Sequence, residues 1–186
     1  MTDIKRQWRR DLDMAEPIMN NGGKYGKYFL QELKLPAVHA TPEAIAKYNE
    51  AGRKRVLWLD GAVIEGCPLQ INTAYYYEKN HDYMDDWAAN DPDGLVGKPH
   101  VHDVPELLCF YGTDPEKPYD LNGEVEIWIE GEQHILTKST LIFIPAGMSH
   151  LPLYVNKVDR PIFHFSMLMD DSYGFTSANG NRFEAK

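Results

Sequence analysis

The chain is patterned mainly as short β-strands. From residue 55 onward, runs of β-branched and aromatic residues follow one another, each bounded by Gly, Pro, Asn or Asp, a pattern typical of strands joined by turns. These runs read RVLWLDGAVI, LQINTAYYY, PELLCFYG, EVEIWIEGEQHIL, TLIFIPAG, LPLYVN and PIFHFSMLM. Short strands at this spacing predict an all-β sandwich or barrel rather than a parallel βαβ sheet.

The clearest hairpin is predicted over residues 124–136. Val125, Ile127 and Ile129 alternate there with polar or amphipathic residues, and the letters EGE at 130–132 supply the turn. Because side chains alternate between the two faces of a strand, one face of this hairpin is expected to lie against the core and the other in water.

The segment before residue 55 has a different character. Residues 2–14 can form a short charged helix, and NNGGKYG at 20–26 ends any regular pattern, so this part is expected to be an arm. TPEAIAKYNEAG predicts a second short helix, with Thr41 as N-cap, Pro42 in the first turn and Gly52 as the stop. We therefore predict an N-terminal arm and helix over 1–54, a barrel over 55–169 and a loose C-terminal tail over 170–186.

Composition and charge limit the classes of partner that the protein is expected to bind. The 186-residue chain has a formal net charge of -9 and a sequence pI near 5.2, which argues against binding to a phosphate backbone. Small molecules or proteins are the expected partners, with no nucleic acid. No apolar run has the length of a membrane span and the N-terminus lacks the apolar core of a signal peptide, so we expect a cytoplasmic protein without membrane contact.

The chemistry concentrates in HVHDVPELLCFYG at 100–112. On a strand, His100, His102 and Glu106 would share one face with apolar residues. Burial of two imidazoles and a carboxylate is costly, and a divalent metal ion resolves that cost because it takes nitrogen and oxygen ligands. A fourth ligand is offered in STLIFIPAGMSH, where a strand runs into a Pro-x-Gly turn and His150 follows.

These two segments together resemble the cupin superfamily. The first cupin motif is matched by Gly94, by the His100-Val101-His102 triplet and by Glu106, with Gly112 one residue earlier than the pattern has it. The second is matched by Pro145, Gly147 and His150, while Ser139 and Tyr154 stand where the family has Gly and Asn. The resemblance covers roughly residues 55–169.

The resemblance implies both a fold and a cofactor. The fold would be a double-stranded β-helix, or jelly roll, that encloses one divalent ion bound by His100, His102, Glu106 and His150. Iron, manganese, zinc and nickel all remain open as the metal. The implied function is an enzyme that binds a small oxygenated organic substrate and performs either dioxygenase chemistry or lyase, isomerase or decarboxylase chemistry. The alternative is a cupin that binds or senses a small molecule without turning it over.

Three further residues are candidate acid/base groups. His164 lies on the predicted strand IFHFSM, and Tyr75 and Tyr77 belong to a strand with three consecutive tyrosines. Any of these can reach a cavity, and each can equally serve in packing.

The opposite face of the ligand-bearing strand carries Leu107, Cys109 and Tyr111. Such an apolar outer face is expected to be covered, either by the N-terminal arm or by a second subunit in a homodimer.

Overall fold

A computed structural model describes residues 21–36, 39–80 and 97–185. The helix predicted over 2–14 therefore lies outside the described residues. The chain divides into two compact units between Gln31 and Glu32. In the first unit, a short 3₁₀ turn spans Gly26–Tyr28. All other elements below belong to the second unit, and no described helix is long and apolar enough to span a membrane.

The predicted helix before the strands is present. Helix α1 spans Pro42–Glu50, and the backbone N–H of Ala44 donates to the Thr41 hydroxyl oxygen at 3.1 Å, which is the hydrogen bond expected of an N-cap. Gly52 follows at φ 62°, a left-handed value that glycine adopts without steric cost at a helix end.

Eleven strands make up the rest of the second unit. They are β1 (Arg53–Leu59), β2 (Gln70–Tyr76), β3 (His100–Val101), β4 (Glu106–Tyr111), β5 (Asp120–Ile129), β6 (Glu132–Lys138), β7 (Thr140–Ile144), β8 (His150–Val158), β9 (Ile162–Leu168), β10 (Tyr173–Ser177) and β11 (Arg182–Ala185).

These strands form two antiparallel sheets. The five-stranded sheet has the order β1-β2-β9-β4-β7, and the six-stranded sheet has the order β11-β10-β3-β8-β5-β6. The β5–β6 hairpin turns at Glu130 and Gly131, as the alternation of residues predicts. The mostly β architecture with a short helix is a cupin-like sandwich, so the predicted all-β jelly roll is confirmed.

The apolar core lies between the sheets. Phe110 and Ile162 from the five-stranded sheet and Leu121, Val125 and Ile127 from the six-stranded sheet are all 1% exposed or less and belong to one cluster. Burial of side chains from both inner faces is what holds two sheets together. A second set of buried side chains is polar and lies in the same interior, and it includes His100, His102, Glu106, His150 and His164.

The expectation of a loose tail over 170–186 is wrong for the part described. Strands β10 and β11 form a hairpin there, and β10 pairs with β3 through Thr176 opposite Val101 and Ser177 opposite His100. The physical reason is that Tyr173, Phe175 and Phe183 give this segment apolar side chains to bury, and the turn at Gly180 has φ 79°. The other predicted domain limits stay predictions.

The outer face of the five-stranded sheet carries exposed apolar side chains. Tyr111, Leu141 and Phe143 are 40%, 54% and 58% exposed. Homodimer formation through this face stays a prediction.

The position of the core gives a stability prediction. Replacement of Ile127, 1% exposed, by Ala should lower the free energy of unfolding by about 2–5 kcal/mol, because it removes buried methyl groups and leaves a cavity. Ile135 on the neighbouring strand β6 is 48% exposed, and its replacement by Ala should change the same quantity by less than about 1 kcal/mol. Urea unfolding of both variants measures the difference, and equal losses would contradict the assigned faces.

Candidate metal centre

The segment at 100–112 supplies ligand positions from both sheets. His100 lies on β3 in the six-stranded sheet, and Glu106 begins β4 in the five-stranded sheet. The sequence was expected to form one continuous strand here, and this is wrong: the chain leaves the strand conformation at 102–105. His102 and Glu106 nevertheless face the same interior, with 3% and 4% of their surfaces exposed.

The second motif brings His150 to the same place. His150 begins β8 and is directly opposite His100 across the β3–β8 pair. The preceding turn is closed against the first motif, since the Gly147 N–H donates to the His102 carbonyl oxygen at 2.8 Å. Gly147 has φ 78°, so the Pro-x-Gly turn needs a glycine for its backbone conformation.

The three imidazoles converge. The ligand nitrogens of His100, His102 and His150 lie within 4.8 Å of one another, and all three residues are buried. The Nε2 atoms of His100 and His102 are 3.3 Å apart. This cluster can hold a metal ion, as the two motifs predict.

Hydrogen bonds to backbone carbonyls determine which ring nitrogen of each histidine faces the centre of the cluster. The Nδ1 atom of His100 lies 3.1 Å from the Lys98 oxygen, that of His102 lies 2.5 Å from the Gly174 oxygen, and that of His150 lies 3.1 Å from the Met148 oxygen. A carbonyl oxygen only accepts, so each Nδ1 carries the proton and donates. In the neutral form of each ring, Nε2 then presents a lone pair to the centre of the cluster, which is the arrangement of metal-binding histidines.

Glu106 lies next to two of these imidazoles. One carboxylate oxygen, Oε2, lies 3.0 Å from the Nε2 of His150 and 3.5 Å from the Nε2 of His102. Among the residues that the structure describes, that oxygen and the His150 Nε2 are buried atoms without a hydrogen-bond partner. Since the facing Nε2 atoms carry lone pairs, a cation between the carboxylate and the imidazoles satisfies all of these atoms together. The residues present therefore fit a divalent ion.

The charges at the centre suit cation binding. Burial lowers the pKa of His100 to about 3, and the neighbouring His150 and His102 lower it in the same direction. Burial raises the pKa of the Glu106 carboxyl, but contacts with His102 and His150 outweigh burial and bring that pKa down to about 2. At neutral pH the site thus holds a neutral His100 and an ionised Glu106, the forms that bind a metal.

The motif residues of two separate segments therefore meet between the two antiparallel sheets. This is the placement that the resemblance to the cupin superfamily implies.

Comparisons with known proteins find similarity to solved structures only. No family model matches the sequence, and no curated protein does either. Among solved structures, the chain is similar to an oxalate oxidase in complex with the substrate analogue glycolate, at 15% identity and a TM-score of 0.46, with 88% of this chain and 68% of that chain covered. It is also similar to a variant of the Bacillus subtilis oxalate decarboxylase, at 14% identity and a TM-score of 0.41, with 69% and 28% covered. An 11S globulin from Wrightia tinctoria gives 12% identity and a TM-score of 0.43, with 74% and 30% covered.

The candidate acid/base residues are placed differently from one another. His164 is inside, 6% exposed, and its Nδ1 donates to the Cys109 carbonyl oxygen at 2.8 Å. Its ring stacks on Phe110 with centroids 4.7 Å apart. Its catalytic role stays a prediction, and the contact with Phe110 gives it a packing role.

Tyr75 lies on the outer side of β2, and Tyr77 is the first residue after the end of that strand. They are 40% and 43% exposed, whereas Tyr76 between them is 2% exposed. Strand alternation sends Tyr76 inward and its two neighbours outward. The predicted catalytic role of Tyr75 and Tyr77 needs side chains that face the interior, whereas both of these side chains face outward.

Sequence reasoning missed the contribution of β10. Besides the Gly174 carbonyl, β10 places the Phe175 ring 4.7 Å from that of His100 and the Tyr173 ring 5.7 Å from that of His102. Burial raises the pKa of Tyr173, and the charge of Glu106 raises it further, so its phenol keeps its proton. The signal that predicts this hairpin is Asn179-Gly180 between alternating apolar residues.

The buried His164 gives a pH prediction. Burial lowers the pKa of His164 from 6.5 to about 4, so the unfolded chain binds this proton more strongly than the folded one. The resulting stability is present above about pH 6.5 and is lost as the pH falls toward 4, by up to about 3 kcal/mol. In metal-free protein, His164→Asn should therefore reduce the loss of stability between pH 7 and pH 4.5, measured by urea unfolding.

The matched control is His134→Asn. The His134 side chain is 44% exposed, and its replacement should leave the pH dependence of unfolding as in the parent chain. An unchanged pH dependence in His164→Asn would contradict the buried, uncharged state of His164.

Proposed function

We propose that this chain is a metal-dependent enzyme acting on a small oxygenated organic molecule. The observation that supports this most directly is the set of three imidazole Nε2 atoms and one carboxylate oxygen that converge in a buried site. Four ligands of this kind leave positions open for substrate on a six-coordinate ion, and iron, manganese, zinc or nickel suits such a donor set. A divalent ion bound there polarises an oxygen of the substrate, and iron or manganese adds redox chemistry.

The chain's own residues supply orientation and proton control. The carbonyls of Lys98, Met148 and Gly174 hold the three rings in place through Nδ1. Tyr173 presents a protonated phenol next to His102, and Phe175 covers one side of His100 with apolar surface. A phenol held in this way can donate a hydrogen bond to an oxygen of a bound molecule.

The alternative, a protein that only binds or senses a small molecule, is distinguished from an enzyme by turnover. Tyr173 is the described phenol that packs against a ligand histidine, and its raised pKa suits it to hydrogen bonding a bound molecule rather than to exchanging protons with it. The choice between dioxygenase and lyase, isomerase or decarboxylase chemistry depends on the metal. Iron with oxygen uptake across a set of small acids and phenols supports the first, and another metal with product formation in the absence of oxygen supports the second.

The test of the metal site is metal content. After reconstitution with each of Fe(II), Mn(II), Zn(II) and Ni(II) and removal of excess, mass spectrometry of the protein should find about one ion per chain for at least one metal. His102→Ala should lose that ion on the same treatment. Loss of a hydrogen bond to a metal ligand already lowers metal affinity by roughly 10–100-fold, and loss of the ligand itself should lower it further.

His134→Ala is the control for loss of a histidine outside the site, since His134 lies on the exposed β6 strand. It should keep the metal. Full metal content in His102→Ala would overturn the ligand assignment, and absence of stoichiometric metal from the parent chain would overturn the proposed function.

A further inference from the structure

The outer face of the five-stranded sheet is apolar across its whole width. Exposure alternates along the central strand β9, where buried residues point into the interior and Phe163, Phe165 and Met167 lie between them on the outer face. An antiparallel sheet with one face in water usually carries polar residues on that face. The three apolar side chains at its centre depart from this pattern.

The strand register extends these three positions into three rows across the sheet. Each row holds side chains that lie opposite one another on neighbouring strands and share the outer face. Read from β1 toward β7, the rows are Leu59, Ile71, Met167, Leu107 and Phe143; Leu57, Thr73, Phe165, Cys109 and Leu141; and Lys54, Tyr75, Phe163 and Tyr111. The outer face is therefore one continuous and mainly apolar surface.

Two copies of the chain can approach each other through this face without bringing carboxylates together. Its three rows contain no acidic residue, although the chain has 28. With a formal net charge of -9, copies of the chain repel each other, and the repulsion is smallest between surfaces that lack carboxylates. The outer face of the six-stranded sheet is less suitable, because Glu124 and Glu126 lie there beside the Asn156 amide.

The outer face is large enough for a stable contact. Five strands about 4.8 Å apart and three rows about 7 Å apart give it a plan area of roughly 500 Å². Side chains that project from a sheet expose more surface than its plan area, and a standard interface takes about 800 Å² of accessible surface from each partner. The outer face can therefore supply most of a standard interface.

The two sides of the outer face differ in shape. At the β7 side, Leu141 and Phe143 project from the sheet and are more than half exposed. At the opposite side, an open groove of about 510 Å³ lies where β1 and β2 pair and β9 begins. The residues that line the groove are Lys54, Arg55, Val56, Tyr75, Tyr77 and Pro161. One side of the face thus projects where the other is recessed.

We propose that the outer face binds the same face of a second copy of the chain, around a two-fold axis that lies between the two sheets and runs along β9. Such an axis exchanges the two sides of the face, so β7 of each copy lies over β1 and β2 of the other. In a two-fold contact each pair of touching residues occurs twice, so the projecting side chains of both copies meet a recessed partner. This inference goes beyond the proposed function and does not depend on it.

The register agrees with that axis. Leu141 ends the second row, and Val56 is the extra residue of β1 between the second and third rows. A rotation around β9 preserves the level along the strands, so Leu141 of one copy comes close to Val56 of the other. Val56 lines the groove, and its contact with Leu141 buries two exposed aliphatic side chains.

Sedimentation equilibrium of the full chain tests the contact. At micromolar concentration the parent chain should have twice the mass of one 21.3 kDa chain. Leu141→Glu and Phe143→Glu each place a carboxylate in the interface and should raise the dimer dissociation constant by roughly 100-fold or more. Both positions are exposed in the single chain, so urea unfolding should show that the variants still fold.

Ile135→Glu is the matched control. Ile135 on β6 is 48% exposed and belongs to the other sheet, so this variant should remain a dimer. A parent chain that is a monomer at every concentration overturns the proposal, and so does a dimer that neither Glu variant weakens. If a Glu variant does not fold, the Gln variant at the same position replaces it and should weaken the dimer by a smaller factor.

Cross-linking tests the direction of the axis. Val56 and Leu141 lie on opposite edge strands of one sheet, roughly 19 Å apart, which is too far for a short bis-maleimide linker. In a mixture of Val56→Cys and Leu141→Cys chains, after exchange of subunits, the linker should join unlike chains. Each variant alone should give no more linked dimer than the parent chain, in which Cys67 and Cys109 set the background.

The cross-linking outcomes decide between two arrangements of the same face. An axis across the strands would place β7 over β7 of the partner, and Leu141→Cys alone would then be linked. Linking of that variant alone, or no linking in the mixture, overturns the axis along β9. Linking in the mixture alone supports it.

Discussion

The site depends on three hydrogen bonds in which imidazole Nδ1 groups donate to backbone carbonyls. They fix the direction of His100, His102 and His150, and so place the Nε2 atoms of His102 and His150 beside the Glu106 carboxylate and that of His100 beside His102. Without a cation, lone pairs of neutral imidazoles that face one another repel. The protein therefore folds into an arrangement that a divalent ion stabilises, and stability and metal binding are linked.

The carbonyl groups that accept these hydrogen bonds come from residues both close to the histidines and far from them in sequence. Lys98 and Met148 each lie two residues before the histidine that they hold, so local strand geometry suffices for His100 and His150. The acceptor for His102 is Gly174 on β10, which depends on pairing between β10 and β3. The C-terminal hairpin is thus part of the site, because it closes the interior and orients a ligand.

Much of the site could be predicted from sequence, because the residue types and the spacing between them identify the two motifs. The His-x-His pair, Glu106 and His150 are chemically distinctive, and alternation identifies most strands. The backbone acceptor Gly174 has no side-chain signal, and the break between β3 and β4 depends on which sheet each strand joins. Likewise, Trp58 faces the interior because Val56 is an extra residue in the β1–β2 pair, and simple alternation gives no means to locate such a bulge.

The tautomer claim is tested most directly by long-range ¹H–¹⁵N correlation spectra of ring-labelled histidine during titration with Zn(II), with assignments from single His→Asn variants. The account predicts that His100, His102 and His150 each retain a proton on Nδ1 and that one equivalent of zinc shifts their Nε2 resonances together. Zinc-induced shifts on Nδ1, or Nε2 resonances of these three residues that do not respond to one equivalent, would contradict it.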